Sequence, residues 1–273
     1  MPLPEAFFLP LSRGRRFCVR YSPTTRAGGA ILFVPPFAEE MNKARRMAAL
    51  QARALAANGW TVLQMDLFGC GDSDGEFAEA DWQQWRTDIT DAMAWLREQT
   101  DCLPLLWGLR AGCLLACDAA HDMNPPPRLL LWQPSMSGRQ ALQQFLRLRV
   151  AGQLFGDPSA DKIGTRDLRE QLLRGEAVEV AGYLLSPGVA LGLEAAELNP
   201  LVAPTQVAWL EIGPATSAEP SPAVRGRVKA WEAAGHRVAL RSIAGAAFWQ
   251  TQEIAECPEL LDATLTAVGD WRT

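Results

Sequence analysis

The side chains of this 273-residue chain best placed to do chemistry are Arg110 and the neighbouring pair Glu39 and Glu40. Leu103 to Cys117 reads as a buried strand, a tight turn and a helix, and the turn is Gly108-Leu109-Arg110-Ala111-Gly112. A sharp strand-to-helix turn pushes its central residue into open space at the carboxyl end of a sheet, and the flanking glycines permit it. Such a residue is expected at positive φ, which costs an ordinary side chain roughly 1–3 kcal/mol. A guanidinium stays protonated and has no acceptor lone pair, so Arg110 cannot attack a carbonyl. It can offer forked donors to a carboxylate or phosphate, and the helix that begins there favours an anion through its free N–H groups. Two readings of Arg110 stand: an anion clamp, or a cation that fills a pocket and pairs with a glutamate. Glu39 and Glu40 follow a short apolar strand and are expected at the same end of the sheet. One can pair with Arg110 while the other acts as a base; arginine lowers a neighbouring carboxyl pKa and burial raises it. A salt bridge tying two loops is the plainer alternative.

These residues need a scaffold, and the apolar patterning supplies one. Phe7–Leu11 and Arg15–Tyr21 read as antiparallel strands around a Ser12-Arg13-Gly14 turn. Ala30–Val34, Trp60–Met65, Leu103–Leu109, Arg128–Trp132, Val207–Ile212 and Arg237–Ile243 read as buried strands. Helices are expected over Lys43–Asn58, Asp81–Gln99, the stretch from the Arg110 turn to about His121, Pro222–Ala234 and Leu260–Trp271. Strands alternating with helices predict an α/β fold with a mainly parallel central sheet and helices on both faces. Residues 135–198 break the alternation, read as mostly helical, and are expected to form a lid insertion; residues 1–134 and 199–273 form the core.

Composition narrows the field. Apolar residues make up 48% of the chain, enough to cover both sheet faces. A net charge of −5 argues against nucleic acid or an anionic membrane as partner, and no run is long enough to span a bilayer. The N-terminus lacks a signal-peptide pattern, and six scattered cysteines without a framework fit a reducing, cytoplasmic compartment. Asp66, Asp72, Ser73 and Asp74 cluster, but their spacing does not match a calcium loop and no histidine joins them; they are expected to close turns. No metal and no cofactor is expected. Cys70 lies in the same loop, without a base to make it a nucleophile.

The strand order, the Asp66…Gly69-Cys70-Gly71-Asp72-Ser73 loop and the Arg110 turn resemble an α/β-hydrolase over almost the whole chain. More narrowly, Pro35-Pro36-Phe37-Ala38-Glu39-Glu40-Met41-Asn42-Lys43 with Arg45-Arg46-Met47, Trp107-Gly108-Leu109-Arg110-Ala111-Gly112, and Phe248-Trp249-Gln250-Thr251 are similar to the exosortase A system-associated hydrolase 2 family. That resemblance implies a hydrolase ancestry and a setting in exopolysaccharide export and protein sorting; it implies no substrate. An α/β-hydrolase carries Gly-x-Ser-x-Gly at the turn, so Arg110 stands in place of the nucleophile. The base would follow the last strand, where the chain reads Ala244-Gly245-Ala246-Ala247-Phe248-Trp249. The acid would follow Ile212, where Thr216 or Ser217 stands, with Glu219 displaced. Of two histidines, His121 is expected at the end of a helix and His236 at the wrong end of the sheet.

Phe37, Phe68, Cys70, Leu109, Ala111, Phe248 and Trp249 are expected around the ligand pocket, whereas Trp107, Trp132 and Trp209 are expected in the core. Three functions are then open. The chain can bind an anionic or acyl small molecule beneath a lid. It can be a non-serine hydrolase in which Glu39 or Glu40 is the base and Arg110 stabilises negative charge. It can be an interaction protein of the exosortase or polysaccharide machinery.

Overall fold

The structure is a computed structural model that describes residues 3–152, 163–214 and 219–271. Short runs, apolar in the central strands, form one eight-stranded sheet: β1 (Glu5–Pro10), β2 (Arg15–Tyr21), β3 (Gly29–Val34), β4 (Trp60–Met65), β5 (Leu105–Leu109), β6 (Leu129–Trp132), then β9 (Gln206–Gly213) and β10 (Arg237–Ala244). The spatial order is β1-β2-β4-β3-β5-β6-β9-β10. The pairs β1–β2 and β2–β4 are antiparallel and every other pair is parallel. Strands β3 to β6 are buried almost throughout, as strands covered on both faces must be.

Two apolar layers sandwich the sheet. Helices α2 (Trp82–Thr100) and α3 (Ala111–Ala120) pack on one face, with Leu32, Leu106 and Trp209 beneath them. Helices α1 (Ala38–Ala57) and α8 (Pro258–Val268) cover the other, over Ile31, Trp107 and Trp132. Trp107 lies between Phe33 and Trp132, at centroid distances of 4.4 and 4.6 Å. Helix α7 (Pro222–Ala233) precedes β10. The expected α/β architecture with helices on both faces is present.

Boundaries differ in two places. Helix α1 starts at Ala38, five residues before the expected Lys43, so Glu39 and Glu40 belong to its first turn rather than to a loop. Acidic side chains suit that position because the helix dipole is positive there. Residues 135–198 contain α4 (Gly138–Gly152), α5 (Thr165–Leu173) and α6 (Pro187–Ala195), but also a hairpin of β7 (Val178–Val180) and β8 (Tyr183–Leu185) that helical periodicity did not announce. The ends of this stretch are tied together: Leu198 N–H donates to Met136 and Gly138 N–H to Ala196. Helix α6 rests on the start of α2, where a Cβ on Gly192 would lie 2.1 Å from Trp82 Cβ. Among the described residues no helix is long and apolar enough to cross a membrane.

Candidate functional site

The strand order reverses around β3 and β5: α1 leaves β3 toward one face and α3 leaves β5 toward the other. Crevices form at such switch points, beyond the carboxyl ends of the strands. Arg110 joins β5 to α3 there, with φ 56° and ψ −121°. The surroundings hold it in that costly conformation. Its N–H donates to Trp132 (3.0 Å), and its carbonyl accepts from Cys113 (3.1 Å) and Ser135 (3.1 Å). Gly112 allows α3 to pass against β3; a Cβ there would meet the Val34 carbonyl oxygen at 2.3 Å and that of Pro35 at 2.5 Å.

The Arg110 side chain is 17% exposed. Its Nε donates to Glu40 Oε1 at 3.2 Å, and its guanidinium carbon lies 5.4 Å from the Trp249 ring centroid. Neither Nη makes a hydrogen bond among the described residues, so four of the five guanidinium N–H groups are left unused there. Trp249 thus occupies the segment after the last strand where a hydrolase base was sought, and it meets the cation with a π face.

Two carboxylates, Glu40 and Glu211, feel this cation, and Glu39 lines the same cleft as Glu40. Burial pushes the Glu40 carboxyl above its ordinary range, against the pull of Arg110. Burial also raises Glu39, against its own backbone N–H and Lys43; Glu39 Oε2 is enclosed with no hydrogen-bond partner among the described residues. The third, Glu211 on β9, is raised by burial although Trp209 Nε1 donates to it and Arg110 draws it down. Sequence reasoning missed Glu211. The available signal was one charge in the run Trp209-Leu210-Glu211-Ile212, near the carboxyl end of a buried strand.

Two clefts meet at Arg110. One, of about 350 Å³, is walled by Phe37, Glu39, Glu40, Ala111, Phe145 and Leu148. The other, of about 410 Å³, is walled by Gln133, Gln140, Glu211, Ser242 and neighbours. Arg110, Ser135, Ala141 and Gln144 belong to both walls. A further cleft of about 350 Å³ at the amino ends of the strands, beside Arg128 and Arg237, contains none of these groups.

The structure therefore brings together Arg110, Glu39, Glu40, Phe37, Ala111 and Trp249. It does not place Phe68, Cys70, Leu109 or Phe248 on either cleft wall, and Trp249 reaches the site only through its ring beside Arg110. Phe68 packs beneath Arg13 and Arg16, whose guanidinium carbons lie 4.1 and 4.9 Å from its ring centroid. Leu109 is a core residue of β5, and Phe248 is buried against Trp132. Cys70 is enclosed, and burial, reinforced by Asp66, pushes its thiol up to about 12, which suppresses thiolate chemistry.

The acidic loop is structural in its bonding. Asp66 accepts from Arg45 Nη2 at 3.0 Å and from the Asp72 N–H at 3.2 Å; Ser73 Oγ donates to the Asp66 carbonyl; Asp74 pairs with Arg15. His236 is buried at the start of β10, where its Nδ1 accepts from the Thr205 N–H, at the end of the sheet opposite Arg110. His121 caps the end of α3. Glu219 is exposed and pairs with Arg225; Thr216 and Ser217 lie outside the described residues.

A family model described as X-Pro dipeptidyl-peptidase (S15 family) matches residues 19–105, ending before the Arg110 turn. No curated protein matches the chain. Solved structures match over nearly its whole length. Est1E from Butyrivibrio proteoclasticus, with ferulic acid bound, is 14% identical, with 97% of this chain and 100% of that one covered and a TM-score of 0.64. DcsB, in complex with its substrate analogue, is 17% identical, with 98% and 99% covered and a TM-score of 0.64. An α/β serine hydrolase without lid from Xanthomonas campestris is 15% identical, with 98% and 95% covered and a TM-score of 0.59. The chain has the α/β-hydrolase fold.

Proposed function

We propose that this chain uses the α/β-hydrolase fold, with its Ser-His-Asp triad lost, to bind the carboxyl or carbonyl group of an acyl small molecule. The observation that carries this reading is the guanidinium of Arg110 at the positive-φ turn, which among the described residues spends only its Nε donor, on Glu40. Arg110 lines both clefts, and the first N–H groups of α3 lie beside it. Phe37, Phe145 and Leu148 offer an apolar wall for the acyl chain. Insertion 135–198 would act as the lid, with α4 forming that wall. On the sequence resemblance alone, the setting would be an exosortase A system in the cytoplasm of an exopolysaccharide-producing cell, with its polysaccharide machinery as the source of ligand or partner.

A second reading is favoured by one observation: burial holds Glu39 and Glu40 above the ordinary carboxylate range, nearer the working pH of a general base. Glu40 would then activate water against a carbonyl polarised by Arg110. Hydrolysis of a panel of short and long acyl esters and thioesters, with Arg110→Ala and Glu40→Gln beside the wild type, separates the two. The binding reading expects no turnover by the wild type. Turnover that disappears in either variant would replace it with the hydrolytic one.

A further inference from the structure

We infer that the second cleft at Arg110 is a subsite for a polyhydroxylated group, so that the ligand is an acylated sugar or polyol rather than a simple fatty acid. This rests on the acyl-binding reading above and names the other half of the ligand.

The two clefts share Arg110, Ser135, Ala141 and Gln144, and each mixes polar with apolar side chains. On the α1 side, Phe37, Phe145 and Leu148 form an apolar strip suited to methylene groups, beside Glu39, Glu40 and Lys43. On the β9–β10 side, the wall presents Gln133, Gln140, Glu211 and Ser242 beside the apolar Ile212 and Val224, and no aromatic ring. Carboxamides and hydroxyls each donate and accept, which matches vicinal hydroxyls, themselves both donors and acceptors. A phosphate or sulfate would instead call for several cations. Arg110 is the cation of this wall, and the Glu211 carboxylate faces it.

Much of this hydrogen-bonding capacity is unspent. Among the described residues the side chains of Ser135, Gln140, Gln144 and Ser242 make no hydrogen bond. Gln133 uses only its Oε1, which accepts from the Ile212 N–H, and so its amide nitrogen remains available. Gln133 also sits at φ 40°, a strained backbone that aims its side chain across the end of β9. The volume, about 410 Å³, is ample for a monosaccharide-sized group. Because Arg110, Ser135, Ala141 and Gln144 line both clefts, a ligand with its carbonyl at Arg110 extends an acyl chain one way and a hydroxylated head the other.

Titration calorimetry tests this with three probes: octanoate, N-methyloctanamide and N-octanoylglucosamine. The two amides share an acyl chain and differ in the sugar, and the amide bond resists cleavage. The expected result is that N-octanoylglucosamine binds at least about tenfold tighter than N-methyloctanamide, the worth of one or two net hydrogen bonds. In the double variant Gln140→Ala/Ser242→Ala, whose side chains are exposed and whose thermal melt verifies folding, that preference should fall below about threefold. Equal binding of the two amides, with octanoate binding that depends on Arg110, would overturn this inference and leave the acyl-site reading standing. A preference that survives in the double variant would also overturn it, since the sugar would lie elsewhere. Failure of all three probes to bind would overturn both.

Discussion

Two arginine–carboxylate pairs in this molecule look alike on paper and behave as opposites. Arg16 and Asp88 are both fully buried, and Asp88 accepts from Arg16 Nε (2.7 Å) and Nη2 (2.8 Å), from the Phe68 N–H (3.1 Å) and from Gln84 Nε2 (2.8 Å). Every strong lone pair of that carboxylate is used, so the pair fixes β2 and the loop after β4 to α2. Arg110 and Glu40 share one bond of 3.2 Å, remain 17% and 24% exposed, and leave the Nη edge of the guanidinium open beside two clefts. A saturated pair builds structure. An unsaturated pair, held at a strained turn by three backbone hydrogen bonds, has donors left for something else.

The contrast fails or sharpens at four places. The largest effect should follow Asp88→Ala, which strands a buried guanidinium: a loss of about 3–5 kcal/mol in urea unfolding. A loss under about 1 kcal/mol would place this pair with the surface ones. Gly112→Ala drives a Cβ into the Val34 and Pro35 carbonyls and should cost about 1–3 kcal/mol in the same assay, while disordering the Arg110 turn.

Smaller still is the cost of the turn itself. With φ at 56°, Arg110→Gly should be more stable than Arg110→Ala by about 1 kcal/mol, the reverse of the usual glycine penalty in a helix-starting segment. Thermal melts of the two variants give the sign directly.

The slightest effect concerns pH. Burial raises Glu211 in the folded state, so the folded chain holds a proton that the unfolded chain has already released. Its contribution to stability is present below the ordinary glutamate pKa of about 4.3 and is lost as pH rises from there through the raised value. Glu211→Gln should therefore flatten the stability–pH curve above that point and leave it unchanged at lower pH. Urea midpoints across the acid range would show it; an unaltered slope would mean that Glu211 is solvated.

Much of the scaffold was legible because its physics is periodic. The central strands of the eight-stranded sheet announced themselves as apolar runs, and Gly108 and Gly112 marked the turn. The start of α1 was not legible, because Pro35-Pro36 reads as a break and Glu39-Glu40 as a loop. Yet the buried positions Ala38, Met41, Ala44 and Met47 already carry the helical period. The β7–β8 hairpin escaped because each strand has three residues and its signal is only the Ala181-Gly182 turn, both at positive φ. In the site, charges were easier to place than apolar neighbours. Glu40 pairs with Arg110 as anticipated, whereas Phe68, Leu109 and Phe248 face the core, since a short apolar segment does not disclose which side of a loop it turns toward. Glu211 was hidden inside a strand whose other residues are apolar.

The most direct measurement is calorimetric titration of octanoate into the wild type and into Arg110→Gln, which keeps the length of the side chain nearly intact and removes its charge. The account predicts saturable binding by the wild type and a loss of about tenfold or more in the variant, the range expected when a charge-assisted hydrogen bond of about 1.5–3 kcal/mol is removed. Equal affinity in the two proteins would contradict it, because the open edge of Arg110 would then have no part in holding a ligand.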